Sequence, residues 1–285
     1  MRQIGGGAQP PNPRSEIDTT LQWAASALMQ GRCDDAERLA REVLARVAQH
    51  PRALYLLGCA LLLQGYAREA IAPLEKAARA GQDPAVETHL AIALRRVGRT
   101  DDALTRLTRA IKRRPAHAEA FHELGLLLLT LQRFDEAIAT LRHGLEQIPA
   151  TAPDAVSLWI QLGAVHQTQR DRAKARAAFA KAIEIAPDQP GAHYNMGSLL
   201  IEDAEFAAAA EHLQRALAAN PKDVQARLRL GVCLLELGRT DDALGYLRSA
   251  VRSEPKFYST VLKLVSSTGR GRFWLRPSTA RKMLT

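Results

Sequence analysis

An all-α fold built from repeated helix–turn–helix units is what this sequence predicts, and three observations carry that reading. The heptapeptide Gly-Arg-Thr-Asp-Asp-Ala-Leu occurs at residues 98–104 and again at 238–244. An Ala following a short polar turn recurs at Ala36, Ala70, Ala103, Ala137, Ala175, Ala209 and Ala243, with gaps of 34, 33, 34, 38, 34 and 34 residues. Twelve positions before each of these anchors stands a small residue: Ala24, Gly58, Ala91, Gly125, Gly163, Gly197, Gly231. Units that cannot bury a core alone bury it against their neighbours, so the expected architecture is an α-solenoid of about seven units.

The first helix of each unit shows apolar or small residues at i, i+3, i+4, i+7. These are Leu54, Leu57, Gly58 and Leu61 in the second unit, and Trp159, Leu162, Gly163 and His166 in the fifth. The second helix shows i, i+4, i+7 in Ala103, Leu107, Ala110 and in Ala175, Phe179, Ala182. A Gly inside a helix costs about 1 kcal/mol relative to Ala. Its recurrence therefore predicts close approach of the paired helix, with the anchor Ala as the other small partner. Gly31, Gly65, Gly98 and Gly238 fall between the helices as turns or left-handed caps. Asp34, Asp101, Asp135 and Asp241 fall near the next helix N-terminus, where unpaired N–H groups favour a carboxylate. Pro115, Pro149, Pro187, Pro221 and Pro255 close the second helices.

The expected boundaries are a flexible leader over 1–16 and units at 17–50, 51–83, 84–117, 118–151, 156–189, 190–223 and 224–257. The 38-residue gap reflects four extra residues, 152–155, placed between units. Tyr258, Val261, Leu264 and Val265 continue the first-helix pattern and predict a capping helix over 258–266. A loop over 267–272 and a basic, aromatic tail complete 258–285.

Composition agrees with this reading. Of 285 residues, 47% are hydrophobic but only 5% aromatic, and Ala and Leu dominate, which suits close helix packing better than a sheet. No run approaches the roughly 18 apolar residues of a membrane span, and residues 1–16 lack the pattern of a signal peptide. The expected location is the cytoplasm, with Cys33, Cys59 and Cys233 as reduced thiols, since they fit no zinc or disulfide spacing. The excess of Arg over Lys suggests a GC-rich bacterial coding sequence. Net charge is +9, yet residues 258–285 hold six cations and no acid, leaving +3 for the rest. The array itself is therefore not a uniformly basic nucleic-acid binder.

The linked positions resemble the tetratricopeptide repeat (TPR) family. Leu-Gly in the first helix, Ala at the anchor, a bulky residue four on, Ala seven on and Pro twelve on carry the likeness. Glu119 to Gly125 (EAFHELG) and Ala192 to Gly197 (AHYNMG) look like the family's first helices. The resemblance covers residues 17–257 and implies a right-handed superhelix. It also implies a non-catalytic scaffold or adaptor holding a protein or peptide along the concave face of the first helices. Position 5 of those helices runs Leu21, Tyr55, Thr88, His122, Ile160, Tyr194, Leu228; position 9 runs Ala25, Cys59, Ile92, Leu126, Ala164, Ser198, Val232. That floor suits a partner with apolar or aromatic side chains.

Members of the family that grip a terminal carboxylate use Lys and Asn from one unit, Asn from the next, and Lys and Arg from a third. Asn195 and Arg229 match two of these places, but Ile160 and Ala164 stand where Lys and Asn belong, which argues against such a clamp. Arg95 and Arg96 are the inward candidates from a basic third unit that also holds Arg99, Arg106, Arg109, Lys112, Arg113 and Arg114. Solvated helix faces explain most of that cluster, and an acidic or phosphate-bearing partner is the other reading. His89 and His122 are expected to line the groove, whereas His166 and His193 fall at core positions and are expected to be satisfied there. The eight histidines form no HExxH, and no phosphate loop or nucleophile motif appears, so neither metal, cofactor nor catalysis is expected. The tail residues Arg270, Arg272, Phe273, Trp274 and Arg276 leave three roles open: a cap on the last unit, contact with a partner or anionic surface, or RNA binding.

Overall fold

A computed structural model describes residues 13–149 and 152–267, and within these every regular element is helical. The chain divides into two compact units, residues 1–127 and 128–285.

The first unit holds α1 (Pro13–Met29), α2 (Cys33–Arg46), α3 (Pro51–Leu63), α4 (Ala67–Ala80), α5 (Pro84–Arg96), α6 (Thr100–Ala110) and most of α7 (Ala118–Thr130). Helices pack in hairpins, α1 on α2, α3 on α4 and α5 on α6; α2 then packs on α3, and α4 on α5. Helix α1 begins at Pro13, inside the segment read as a leader. The second unit holds α8 (Phe134–Gln147), α9 (Pro153–Thr168), α10 (Arg172–Ile185), α11 (Pro190–Glu202), α12 (Phe206–Ala219), α13 (Val224–Glu236) and α14 (Thr240–Ser253). A 3-10 turn (Pro255–Phe257) and α15 (Tyr258–Ser267) follow, and α15 packs on α13 and α14 with Val261 and Val265 buried. The hairpin pattern repeats as α9 on α10, α11 on α12 and α13 on α14.

All seven anchor alanines are completely buried. The first-helix glycines, however, meet a different partner from the one the sequence suggests. A Cβ on Gly58 would lie 2.4 Å from Leu74 Cγ, on Gly163 2.4 Å from Phe179 Cε1, on Gly197 2.8 Å from Leu213 Cγ, and on Gly231 2.6 Å from Leu247 Cδ2. Each glycine therefore receives the bulky side chain four residues beyond the anchor. The anchor itself lets the backbones approach, as at Gly197, where Ala209 O would be 3.2 Å from the added Cβ.

The four extra residues are not a loose connection. Pro153 to Ala155 form the first turn of α9, which runs 16 residues against 13 for α3, α5, α7, α11 and α13. Pro153 at the first helical position loses no intrahelical bond.

The duplicated heptapeptide has one structure in both places. Gly98 and Gly238 adopt φ of +84° and +77°. The N–H of Arg99 then reaches Leu94 O at 2.9 Å, and that of Arg239 reaches Leu234 O at 2.8 Å, closing the preceding helix. Each Arg stands at the N-cap of the next helix and pairs with the second Asp: Arg99 Nε–Asp102 at 2.7 Å, Arg239 Nε–Asp242 at 2.9 Å. The same left-handed position falls on Gln132, Arg170 and Ala204 in other hairpins, with φ of 57°, 61° and 59°. A Cβ in that region costs roughly 1–2 kcal/mol. Ala204→Gly is therefore expected to raise stability by about 1 kcal/mol, once the added flexibility of the unfolded chain is deducted. Urea denaturation checks it; an unchanged or lowered midpoint would contradict the strain.

Candidate binding faces on the first helices

In the first unit, α3, α5 and α7 carry a polar ladder. The Tyr55 hydroxyl lies 3.4 Å from His89 Nδ1, with the rings edge to face at 5.4 Å. His89 Nδ1 also lies 2.9 Å from Ala85 O. A carbonyl only accepts, so Nδ1 carries a proton and the Tyr55 oxygen is its second acceptor; the Tyr55 proton stays available to another group. Burial, with Cys59 and nearby carboxylates, raises the Tyr55 pKa, so the phenol remains a donor.

His89 Nε2 faces Glu119 at 4.0 Å, and His117 Nε2 lies 3.3 Å from the same carboxylate. Burial opposes the His89 charge, but the Cys59 sulfur, the Ala85 carbonyl and Glu119 outweigh it and push the pKa up to about 9. His117 beside it, against burial, holds Glu119 below the usual carboxylate range, with His89 and His122 adding to it. A raised imidazole pKa stabilises the fold fully below the unfolded value of about 6.5, and that contribution is lost as pH rises towards 9. Glu119→Gln is expected to lower the His89 midpoint, read by imidazole NMR titration; an unmoved midpoint would remove Glu119 from the ladder.

Arg95 and Arg96, the inward candidates of the basic third unit, both make hydrogen bonds within the chain. Arg95 Nη2 donates to Glu123 at 3.0 Å, and Arg96 Nη1 to Leu62 O at 2.6 Å. Arg106 pairs with Glu87 at 3.2 Å. Burial works against the Glu123 charge, but His122 and Arg95 hold its pKa below the ordinary value. The acids Glu87, Glu119 and Glu123 were absent from the sequence-based set. They lie 19, 28 and 30 residues from Arg106, Arg95 and His89, separations that only the packing of neighbouring helices brings together. Of the floor residues in this unit, Tyr55, Arg95, His122 and Leu126 are half-buried. Cys59 and Ile92 are buried, and Thr88 is 0% exposed with its hydroxyl donating to Pro84 O. Thr88 thus serves packing and not an open surface.

In the second unit, Tyr194 on α11 and Arg229 on α13 form one platform. The guanidinium sits 5.3 Å from the Tyr194 ring centroid, and Arg229 Nε donates to the Tyr194 hydroxyl at 2.9 Å. Ile160, Tyr194, Asn195 and Arg229 are half-buried. Leu228 and Ser198 are buried, and the Ser198 hydroxyl donates to Tyr194 O at 2.8 Å, so both belong to the packing beneath. His193 is satisfied in the core, but His166 Nδ1 and both amide atoms of Gln161 are buried without a partner, so His166 is not the satisfied core group expected. Burial lowers the His166 pKa.

Depressions also open beside the second helices. One of about 760 Å³ is lined by Leu217, Leu234, Asp241, Gly245 and Tyr246; another of about 540 Å³ is lined by Leu44, Leu57, Tyr66 and Pro73. The tail residues Arg270, Arg272, Phe273, Trp274 and Arg276 lie outside the described residues. No cluster of three or more metal-ligating side chains occurs among the described residues, nor any helix long and apolar enough to cross a membrane.

Buried anchors, receiving side chains and left-handed turns together define a helix-hairpin repeat protein. The tetratricopeptide-repeat family pattern matches residues 21–84, 89–154 and 194–256, and a second pattern of the same name matches 156–189. The chain belongs to the tetratricopeptide repeat family. Among curated proteins no relative matches. Solved structures with similar folds include PilF of Pseudomonas aeruginosa, at 22% identity and a TM-score of 0.63, covering 72% of this chain and 92% of that one. A tetratricopeptide repeat protein of Parabacteroides merdae has 16% identity and a TM-score of 0.63, with coverage of 88% and 98%. The human IFIT1 dimer with PPP-AAAA has 16% identity and a TM-score of 0.70, with coverage of 94% and 67%. At these identities the likeness concerns fold alone.

Proposed function

We propose that this chain is a non-catalytic interaction scaffold or adaptor that holds a peptide or protein segment against its first-helix faces. TPR proteins generally act as protein-interaction scaffolds, and the half-buried residues of these faces vary from repeat to repeat while the anchors do not. One observation carries the reading: the Tyr194–Arg229 platform is pre-positioned by its own hydrogen bond and stacking, with no acid paired to Arg229 among the described residues. Rigid aromatic and Arg side chains lose little freedom on binding and dominate interface energetics. The partner has apolar or aromatic anchors flanked by polar groups, suited to Tyr55 and Leu126 on the first unit or to Ile160, Tyr194, Asn195 and Arg229 on the second. Affinity capture with mass spectrometry tests this. Tyr55→Ala, Tyr194→Ala and Leu126→Glu are expected to reduce a captured partner while helicity is kept; equal recovery with all three would remove the first-helix faces from consideration.

A further inference from the structure

His193 on α11 and His212 on α12 face each other at 2.8 Å between their Nδ1 atoms, with rings tilted by 36°. His193 is completely buried, and its Nε2 lies 2.7 Å from Pro187 O in the connection before α11. The carbonyl only accepts, so Nε2 carries a proton. The two Nδ1 atoms then share a single proton, since two N–H groups cannot meet head-on at that distance. In the neutral pair His212 donates to His193, and the hydrogen bonds run from α12 through α11 to Pro187. A first added proton goes to His212 Nε2. A second has no place to go while the pair is closed.

We propose that the His193–His212 pair is a proton-sensitive latch, closed at neutral pH, that releases the α11–α12 contact on acidification. His212 lies near Arg176 from α10, which is itself paired with Glu205 at the N-cap of α12 (2.7 Å), and near Arg215 and Glu211 of its own helix. Burial first, and then His193 and these arginines, hold its pKa below the ordinary imidazole value. A depressed imidazole pKa contributes stability at neutral pH that is lost as pH falls below the unfolded value of about 6.5. The opened state can bind one proton more than the closed one. With an ordinary His pKa, that difference alone raises the opening equilibrium about 30-fold between pH 7.5 and 5. His193 precedes Tyr194 in the chain, so release would also displace the Tyr194–Arg229 platform. That consequence rests on the proposed binding face; the latch does not.

Native-state hydrogen exchange of the full chain, without any partner, tests the latch separately from the binding face. After correction for intrinsic exchange, opening of α11 and α12 amides is expected to rise about 30-fold or more from pH 7.5 to 5, while α1 and α2, which carry no histidine, change little. His193→Gln removes the buried imidazole and should flatten the response. His212→Glu supplies an acceptor for a protonated His193 and should abolish or reverse it. His166→Gln, the other acid-sensitive site in this unit, should leave it intact. A wild-type change below about threefold would overturn the proposal, as would a response retained in both pair variants or lost in His166→Gln.

Discussion

Gly163→Ala is expected to destabilise the protein by about 2 kcal/mol, an overpacking cost of about 3 kcal/mol less the roughly 1 kcal/mol by which Ala is the better helix former. The added Cβ would lie 2.4, 2.6 and 2.9 Å from Phe179 Cε1, Cδ1 and Cζ. Phe179 is completely buried, and its ring is planar and rigid, so relief requires α9 and α10 to move apart. Gly58→Ala meets Leu74 Cγ at 2.4 Å, an atom that rotation of the branched end does not move in a completely buried side chain, and should cost a similar amount. A Phe179→Leu background should recover part of the Gly163→Ala loss. Equilibrium urea unfolding reads all three; a Gly163→Ala protein as stable as wild type would show that the closeness of the hairpin does not depend on the glycine.

Tyr194→Ala is expected to weaken partner binding at least tenfold, about 1.4 kcal/mol, with a smaller effect on stability. The change removes both the ring beneath the guanidinium and the acceptor of Arg229 Nε, leaving that side chain free to rotate. Tyr194→Phe keeps the stacking and loses one hydrogen bond, so its effect should be intermediate, near 1 kcal/mol. Arg229→Lys should resemble Tyr194→Ala more than Tyr194→Phe, because a point ammonium cannot reproduce the planar contact. Titration of the captured partner segment separates these cases. Equal affinities for wild type and Tyr194→Ala would dissociate the platform from recognition.

Much of the fold was legible because five positions recur together, and each has a local physical reason. Anchor alanines, turn glycines and closing prolines act within one hairpin, so the residues around Ala103 or Ala243 suffice to read them. What spans two helices was less legible. The partner of Gly163 is Phe179 and not Ala175, since a helix side chain lies over a neighbouring turn and not opposite its own Cα. The first turn of α9 reads in sequence as an insertion, because Pro153 marks a helix start as readily as a loop. Ala204 gives no sign of its left-handed backbone; the hairpin geometry imposes it.

The candidate faces were legible as positions but not as chemistry. Position 5 identifies Tyr55 and Tyr194, which stay half-buried, yet also Thr88, which is wholly enclosed. The basic third unit reads in sequence mostly as solvated helix faces, and what the sequence does not show is that Glu87 and Glu123 compensate Arg106 and Arg95 from neighbouring helices. Tyr194 and Arg229 lie 35 residues apart, one period plus one, and their pairing depends on the direction of each side chain.

Site-specific photocrosslinking tests the placement of the partner most directly. A photoreactive side chain at Asn195 on α11 or at Tyr55 on α3 is predicted to capture the partner, whereas one at the exposed Ala207 on α12 is not. Capture from Ala207 alone, or equally from all three, would contradict binding on the first-helix faces.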